Sequence, residues 1–433
     1  MRRLKVLAIA SVFPLAAAAA EPTPRLDLAN LPDPPALAAL LWDRSPALQP
    51  ARLKLSSARA DLERAHLLPN PGFDFSWNTI PVGETNPPGL ARPLANVPNY
   101  AFQLNALVEL GKRGPRQRAA ADTLGSAFED ARATLFDAFF DLQGHLATIA
   151  AAEVRSASLE ELAADARSLT ELQRTRAQKG DAAQLDVDRS AIEEEKLWSS
   201  LADERARLAA ALRECGALAG VPCERFGSRE ASQAFLGRPL PAAAPLDERP
   251  DLRSLELQES AAGQALELAK ARAIPDPTVR LGYVHDRFLV SGNQQNSLFV
   301  GVSVPLPVFD HGQADARLAR DTAAAASRTR ALLLDQAQTQ LERLGEERAA
   351  LELRRGRLKD RTLPLARSVV TSLQEAVHRG GAPLQDLLLA RRTLGELVMD
   401  AADLDLSLRQ LANSAARVRG GGPEAPAELR SKP

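Results

Sequence analysis

The order of landmarks along this chain repeats itself, and that repeat limits the folds it can adopt. The phrase Pro69-Asn70-Pro71 returns as Pro275-Asp276-Pro277, 206 positions later. KGDAAQLDV at 179–187 returns as RGGAPLQDL at 379–387, at an offset of 200. Two landmarks in the same order at nearly the same offset predict a chain built from two copies of one unit, at 21–216 and 249–417.

Each copy has the same predicted order of elements. Helices over about 36–67 and 249–273 end at the Pro-polar-Pro phrases, because proline lacks an amide donor and restricts the residue before it. Alternating apolar and polar residues then predict strand pairs within 72–110 and 278–306. The four runs are 72–80, 100–110, 278–286 and 297–306.

Long helical hairpins at 114–216 and 312–417 complete the two copies. Ala, Leu, Arg, Glu and Gln dominate these stretches, which is the composition of long helices and coiled coils. An apolar seam with alternating spacings of four and three predicts heptad packing in the first hairpin. The seam consists of Leu135, Phe139, Leu142, Leu146 and Ile149. In the second hairpin, Pro364 is expected to break the first helix.

The segments outside the two copies are the N-terminus, the stretch between the copies and the C-terminal tail. Basic residues and then an apolar run ending in small residues predict a secretory signal peptide at 1–20. No later stretch offers 18 uncharged apolar residues, so no membrane helix is expected. Residues 217–248 have the Pro, Gly and Ala content of a linker or equatorial segment, and residues 418–433 are expected to be disordered.

Cys215 and Cys223 are the two cysteines of the chain. In an oxidising compartment a local disulfide between them is favoured, and two loop thiols are the alternative. The five histidines are scattered, so no metal site is predicted in this subunit. No cofactor is expected either, because the sequence has no phosphate loop, and it contains neither G-x-S-x-G nor H-E-x-x-H. A net charge of -1 without a basic and aromatic patch argues against a nucleic-acid partner.

The strand pairs allow two interpretations. They form hairpins on a soluble core, or they cross an outer membrane, where about 9–11 tilted residues suffice. Four strands cannot close a barrel, and an open edge is not tolerated in lipid. The membrane interpretation therefore requires several chains to pool their strands.

SPALQPARLKL and RPDLRSLEL each open one copy, and VELGKRGPR and VPLPVFDHGQ each end a strand pair. With these, nearly all of the mature chain resembles the TolC-like outer-membrane efflux family, and ELGKRGPR is similar to its cation-efflux branch. The resemblance implies an α+β membrane protein and a homotrimer. Each chain would give four strands to one 12-stranded β-barrel in outer-membrane lipid, continued by a long α-helical barrel in the periplasm.

The resemblance also implies a non-enzymatic function and its partners. The trimer would be a passive conduit for drugs or metal cations, delivered by an inner-membrane transporter through a periplasmic membrane-fusion adaptor. A periplasmic coiled-coil scaffold and an outer-membrane conduit for secreted polypeptides are the alternatives. The junctions where helix becomes strand would be Pro69, Pro71, Pro275 and Pro277.

The hairpin tips, at 176–188 and 376–388, are the implied adaptor-docking segments. The resemblance places Asp386 in an acidic ring at the closed end of the conduit, but the next family acid falls on Leu389. Asp186 holds the equivalent place in the first tip, with Asp181 and Asp188 beside it. The alternative for each carboxylate is simple stabilisation of a helix N-terminus. The tip residues expected to contact the adaptor are Gly180, Leu185, Gly380, Gly381 and Leu384.

A basic cluster follows the second strand and consists of Lys112, Arg113, Arg116 and Arg118. It forms either a solvated helix start or a contact with anionic lipid headgroups.

Overall fold

A computed structural model describes residues 24–78, 99–240, 245–286 and 294–429. The predicted signal peptide, residues 21–23, residues 79–98 and 287–293 between the strands, residues 241–244 and the last four residues lie outside these ranges. The described residues form four strands and nine α-helices. In chain order these are α1 (Pro34–Arg44), α2 (Gln49–His66), β1 (Gly72–Asn78), β2 (Asn99–Leu107), α3 (Arg113–Gln178), α4 (Gln184–Ala219), α5 (Arg229–Gly237), α6 (Pro250–Ala271), β3 (Thr278–Asp286), β4 (Asn296–Ser303), α7 (Gln313–Arg357), α8 (Leu363–His378) and α9 (Leu384–Val418).

The four strands form one antiparallel sheet in the order β1-β2-β3-β4. Gly72 pairs with Asn105, Leu107 pairs with Thr278, and Val279 pairs with Val302. Strand β2 ends at Leu107 and β4 at Ser303, so both are shorter than predicted. In β4 the cause is Pro305, which cannot donate to a ladder hydrogen bond.

Most helices pack against α3, whose 66 residues rise about 100 Å, whereas α7 packs mainly against α6 and α9, and α8 packs against α9. The predicted heptad seam is correct, because all five of its members are buried and Phe139 is fully enclosed. Large side chains are few, and alanines fill much of the rest of this core. Small side chains let neighbouring helices approach closely, which suits a bundle of very long helices.

Two predicted helix boundaries are wrong. The helix expected over 36–67 is two helices, because Pro46 holds Ser45 in an extended conformation (φ -64°, ψ 125°). The break expected at Pro364 is a π-helical turn at Leu358–Thr362, and helix continues on both sides. A wider turn accommodates the carbonyl that proline leaves without its usual amide partner.

The segment expected to be a linker packs onto the bundle where the structure describes it. Phe226, Phe235 and Leu236 are buried in the main core. The nearly buried carboxylate of Glu153 accepts hydrogen bonds from the Phe226 N–H (3.1 Å) and from the Ser232 hydroxyl (2.7 Å). These buried contacts hold the segment against the bundle.

Arg409 also contributes to the packing of this segment. Its guanidinium lies 4.8 Å from the Phe235 ring centre and donates to Gln143 Oε1 at 2.9 Å. Burial lowers the pKa of Arg409 to about 10, so the group stays charged at neutral pH.

The prediction of disorder after residue 418 is wrong for residues 419–429. Leu429 is 1% exposed, and Ala425 is buried in the same core. Gly422 packs directly against the ring of Phe136, where a side chain would collide. Residues 419–429 therefore pack into the main core.

Cys215 and Cys223 form a disulfide that links the last turn of α4 to the following loop. That loop also holds the N-terminal segment. The Leu26 N–H donates to Pro222 O at 2.9 Å, and the Glu224 N–H donates to Leu26 O at 2.8 Å.

Candidate functional site: sheet faces, junctions and hairpin tips

One face of the sheet is a continuous apolar surface. The registers align Phe75, Phe102, Tyr283 and Leu298 in one row across the strands. The next row contains Phe73, Leu104, Leu281 and Val300. Most of these side chains are exposed, with Leu298 at 80% and Val300 at 75%. So large an apolar patch marks an interaction with lipid or protein.

The opposite face of the sheet is largely polar. Asp74 accepts hydrogen bonds from Gln103 Nε2 and Asn105 Nδ2, each at 2.7 Å. Asn105 lies opposite Arg280 on the next strand. Alternation of an apolar and a polar face along every strand is the pattern of strands that separate lipid from water.

The second Pro-polar-Pro phrase joins α6 to β3 and is tied to the end of β2. Asp276 Oδ1 accepts from the Leu110 N–H at 2.8 Å, and Pro277 O accepts from the Val108 N–H at 2.9 Å. Lys112 Nζ lies 2.7 Å from Asp276 Oδ2, and both side chains are about 15% exposed. Burial by itself raises the pKa of Asp276. The hydrogen bond from the Leu110 N–H and the charge of Lys112 together lower this pKa by more, so the net shift is downward.

The first phrase joins α2 to β1 and is left uncovered. Pro69, Asn70 and Pro71 are all exposed, whereas the residues of 275–277 are half-buried. The same sequence phrase therefore occupies two different environments within one described chain.

The basic cluster is committed to contacts within the chain. Arg113 donates to His66 O at 3.2 Å, and Arg116 donates to Ala65 O at 3.3 Å, so both reach the last carbonyls of α2. Arg116 also pairs with Glu109, and Arg118 donates to Gln264 Oε1 at 2.8 Å. Together with the Lys112–Asp276 pair, these contacts favour a structural role over headgroup binding. Cations near a helix C-terminus also interact favourably with the partial negative charge of the helix dipole there.

The two hairpin tips have the same backbone hydrogen bonds. In the first, Gly180 N–H donates to Ala177 O (3.0 Å) and Asp181 N–H to Arg176 O (2.9 Å). In the second, Gly380 N–H donates to Val377 O (3.2 Å) and Gly381 N–H to Ala376 O (2.8 Å). This pair of bonds is the Schellman motif, and it requires the positive φ of Gly180 (81°) and Gly380 (75°).

The tips contact each other through residues that sequence reasoning missed. Arg176 of the first tip donates to Val377 O (3.2 Å) and His378 O (2.8 Å), the final carbonyls of α8. Leu169, Val377 and Leu387 form a small buried cluster beside them. No sequence motif indicates this role of Arg176, because its partners are backbone atoms about 200 positions away.

The predicted tip carboxylates have different surroundings. Asp386 is exposed, and within the described ranges its carboxylate forms no hydrogen bond or ion pair. Asp188 Oδ1 accepts from Gln184 Nε2 at 2.9 Å, and Asp186 lies 4.0 Å from Arg189. Asp181 is exposed, and its backbone closes the turn.

The two predicted docking leucines are not equivalent. Leu185 is 57% exposed, as a docking side chain requires. Leu384 packs against the small cluster between the tips and is half-buried. Leu389, which replaces the expected second acid, is 65% exposed.

In the described ranges, none of the helices combines the length and apolar character needed to cross a bilayer. Within the same ranges, no three His, Cys, Asp or Glu side chains are placed to hold a metal ion.

Comparison with known proteins identifies the fold. No family model matches the sequence. The chain is 27% identical over 371 residues to the cobalt-zinc-cadmium resistance protein CzcC of Cupriavidus metallidurans, covering 80% of each protein. A CusC structure, described in terms of transmembrane channel formation, has a TM-score of 0.71 at 17% identity and covers 89% of this chain and 92% of that one.

The outer membrane protein VceC of Vibrio cholerae gives a TM-score of 0.70 at 18% identity, covering 90% of this chain and 96% of that one. These likenesses cover 80–90% of this chain. The chain has the fold of the TolC-like outer-membrane channels, as its sequence resemblance indicated.

Proposed function

We propose that this chain is the outer-membrane channel subunit of a tripartite efflux system. Three copies would pool their sheets into a 12-stranded barrel in the outer membrane, with the helical hairpins projecting into the periplasm. The chain itself has no energy source in this proposal, so an inner-membrane pump and a periplasmic adaptor supply the transport.

The two-faced sheet is the observation that carries the proposal. Its apolar face is exposed in the single chain, and its polar face carries Asp74, Gln103 and Asn105. In a closed barrel these faces meet lipid and water respectively. A soluble periplasmic scaffold would have no use for an exposed apolar face on four strands.

The matched order of elements supports an origin by duplication. The copies at 21–216 and 249–417 each place a strand pair before a long hairpin. A chain that enters the barrel twice needs two helix-to-strand junctions, and the Pro-polar-Pro phrases provide them.

Metal cations are the favoured cargo, because CzcC is named for cobalt, zinc and cadmium resistance. Drugs and secreted polypeptides remain the competing cargoes. Asp386 is the proposed gate carboxylate, since it is exposed at a tip and unpaired within the described ranges. A ring of three such groups would favour cations electrostatically.

Reconstitution in planar bilayers tests the conduit directly. The mature protein is expected to give discrete, cation-selective conductance events. Asp386→Asn removes the charge at constant shape and is expected to lower cation selectivity. Asp61→Asn, on the exposed face of α2, is the matched control. A protein that never conducts would contradict the conduit and favour the scaffold.

Cargo is tested in cells that lack their own outer-membrane channel for metal efflux. Expression of this chain with its cognate pump and adaptor is expected to raise tolerance to cobalt, zinc or cadmium. Higher tolerance to drugs alone would assign the chain to multidrug efflux instead.

A further inference from the structure

The sheet of a single chain has two unpaired edges. In the described structure, β1 and β4 each pair with one neighbour only. The segment that follows β4 is also uncovered, with Leu306 at 77% and Phe309 at 90% exposure. Unpaired strand edges of this kind are templates for pairing with another chain.

The repeat supplies the register for such a pairing. The Pro-polar-Pro phrases relate β1 to β3 by 206 positions. Gly72 pairs with Asn105, and its counterpart Thr278 pairs with Ser303, so β2 is related to β4 by 198 positions. The same offset relates Gly114 to Gly312 where the long helices begin, which is independent support.

Inside the chain, the end of β2 covers the phrase that precedes β3. By the two offsets, the end of β4 is the counterpart of the end of β2, and β1 is the counterpart of β3. The uncovered phrase at 69–71 therefore lacks the cover that its counterpart has. The offset of 198 makes 304–310 the counterpart of 106–112, which cover the second phrase. Residues 304–310 of a neighbouring copy could therefore cover the first phrase.

We propose that β4 of one copy pairs antiparallel with β1 of the next in the register that β2 and β3 already use. This register places Val304 opposite Phe73, Val302 opposite Phe75 and Val300 opposite Trp77 of the next copy. All six side chains are between 46% and 75% exposed in the single chain. Aromatic and β-branched cross-strand pairs are favourable, and here they extend the apolar face without a gap.

The same register predicts the contact at the junction. Asn70 of the next copy takes the place of Asp276, and Asp310 takes the place of Lys112. The Val308 N–H donates to Leu306 O at 2.9 Å in the single chain, and on assembly it would exchange this partner for Asn70 Oδ1. Asn70 Nδ2 would then donate to Asp310 Oδ2, because Asp310 Oδ1 already accepts from the Gly312 N–H at 2.9 Å. A neutral amide is the required partner there, because a second carboxylate would repel Asp310.

Competing registers fit less well. A shift by one residue moves every side chain to the other face and puts Asp74 opposite Val302. A shift by two residues keeps the faces but separates Asn70 from the Val308 N–H. Only the register taken from β2 and β3 satisfies both the apolar rows and the junction.

This inference rests on the proposed trimer, and cysteine cross-linking tests it separately. Two double variants are in register: Ser303→Cys with Asp74→Cys, and Gly301→Cys with Ser76→Cys. Exchanging their partners gives two controls that are slipped by two residues. Cα atoms opposite each other lie about 4.5–5.5 Å apart. Diagonal neighbours lie about 7–8 Å apart, beyond the reach of a disulfide.

Mild oxidation of the assembled protein is expected to give covalent dimers and trimers in the in-register variants only. Cys215 and Cys223 are already paired with each other and do not compete. Cross-linking in the slipped variants would overturn the register. So would its absence from all four variants in an oligomer that still conducts in bilayers. A wild-type protein that neither assembles nor conducts would instead contradict the proposed function, and this inference with it.

A charge exchange provides a second test that needs no cysteine. Asn70→Asp is expected to weaken assembly by about tenfold, because two carboxylates would then meet. Adding Asp310→Lys is expected to restore assembly by copying the Lys112–Asp276 pair across the interface. Failure of the second change to rescue the first, at equal yield of folded chain, would overturn the junction contact.

Discussion

Single residues decide how the strands leave the helices in this protein. Lys112 and Asp276 form a well-shielded ion pair at one junction, and Asn70 is exposed at the other. The sequence predicted both junctions from their prolines. It could not predict the pair, because Lys112 and Asp276 meet only when β2 and β3 align.

Asp276→Asn is expected to destabilise the sheet by about 1.5–3 kcal/mol at pH 7, the usual value of hydrogen bonds to a charged group. The pKa of Asp276 is lower in the folded chain, so its contribution is present above the unfolded value of about 3.9. It is lost as the pH falls through the folded pKa.

Thermal unfolding at pH 7 and pH 3 measures this effect. The difference between wild type and Asp276→Asn is expected to shrink at the lower pH. Asp61→Asn changes an exposed ion pair with Arg64 and is expected to have little effect at either pH. A difference that persists at pH 3 would exclude titration of Asp276 as the cause.

Glu153 is the residue that holds the segment between the two copies. Glu153→Ala leaves the Phe226 N–H without its partner in a buried site, at an expected cost of about 1–3 kcal/mol. Hydrogen exchange in α5 is expected to accelerate. Glu161→Ala removes an exposed partner of Arg229 in the same segment and serves as the control. Equal exchange in both variants would show that Glu153 does not anchor α5.

At the scale of elements, the long helices were predictable and their irregularities were not. Heptad spacing identified the buried seam of α3 because a single face must pack along its whole length. The second copy has two more residues between Gly312 and Gly380 than the first has between Gly114 and Gly180. The π turn before Pro364 lies in this longer stretch, and residue pattern alone gives no sign of a wider turn.

The tip turns depend on two glycines with positive φ. Gly380→Ala is expected to cost about 1–2 kcal/mol locally, because a side chain disfavours the left-handed conformation. Gly263→Ala in the middle of α6 meets no other atom and is expected to stabilise its helix by about 0.5–1 kcal/mol.

Trypsin provides the measurement, since Arg379 immediately precedes the glycine of the turn. Cleavage after Arg379 is expected to be faster in Gly380→Ala and unchanged in Gly263→Ala. Unchanged cleavage in Gly380→Ala would mean that the turn tolerates a side chain there.

At the scale of the whole molecule, the sequence predicted four alternating strands and two hairpins, and the fold agrees. The prediction of disorder after residue 418 was wrong for 419–429, because small residues such as Gly422 and Ala425 pack through shape rather than through a periodic pattern. Of the candidate site, the tip glycines were identified by their sequence. The clamp by Arg176 was not, since it depends on how the two hairpins meet.

The two faces of the sheet predict opposite responses to a charge. Val300→Lys is expected to cost about 2–4 kcal/mol where the strand crosses lipid. Gly301→Lys on the polar face has room for its Cβ but lies opposite Arg280, so it is expected to cost no more than about 1 kcal/mol. The yield of folded protein inserted into liposomes distinguishes them. Equal yields would mean that the apolar face does not contact lipid.

The attachment of the N-terminal segment imposes an order on folding. Leu26 bonds to Pro222 and Glu224, and Arg25 pairs with Glu224 across 199 positions. Under the predicted export, residue 26 reaches the periplasm before residue 224, so the first residues have no docking site until both helices of the first hairpin exist. Contacts this distant in sequence form late and slow the folding of a chain. The opening segment of this protein is therefore among the last parts of its first half to settle.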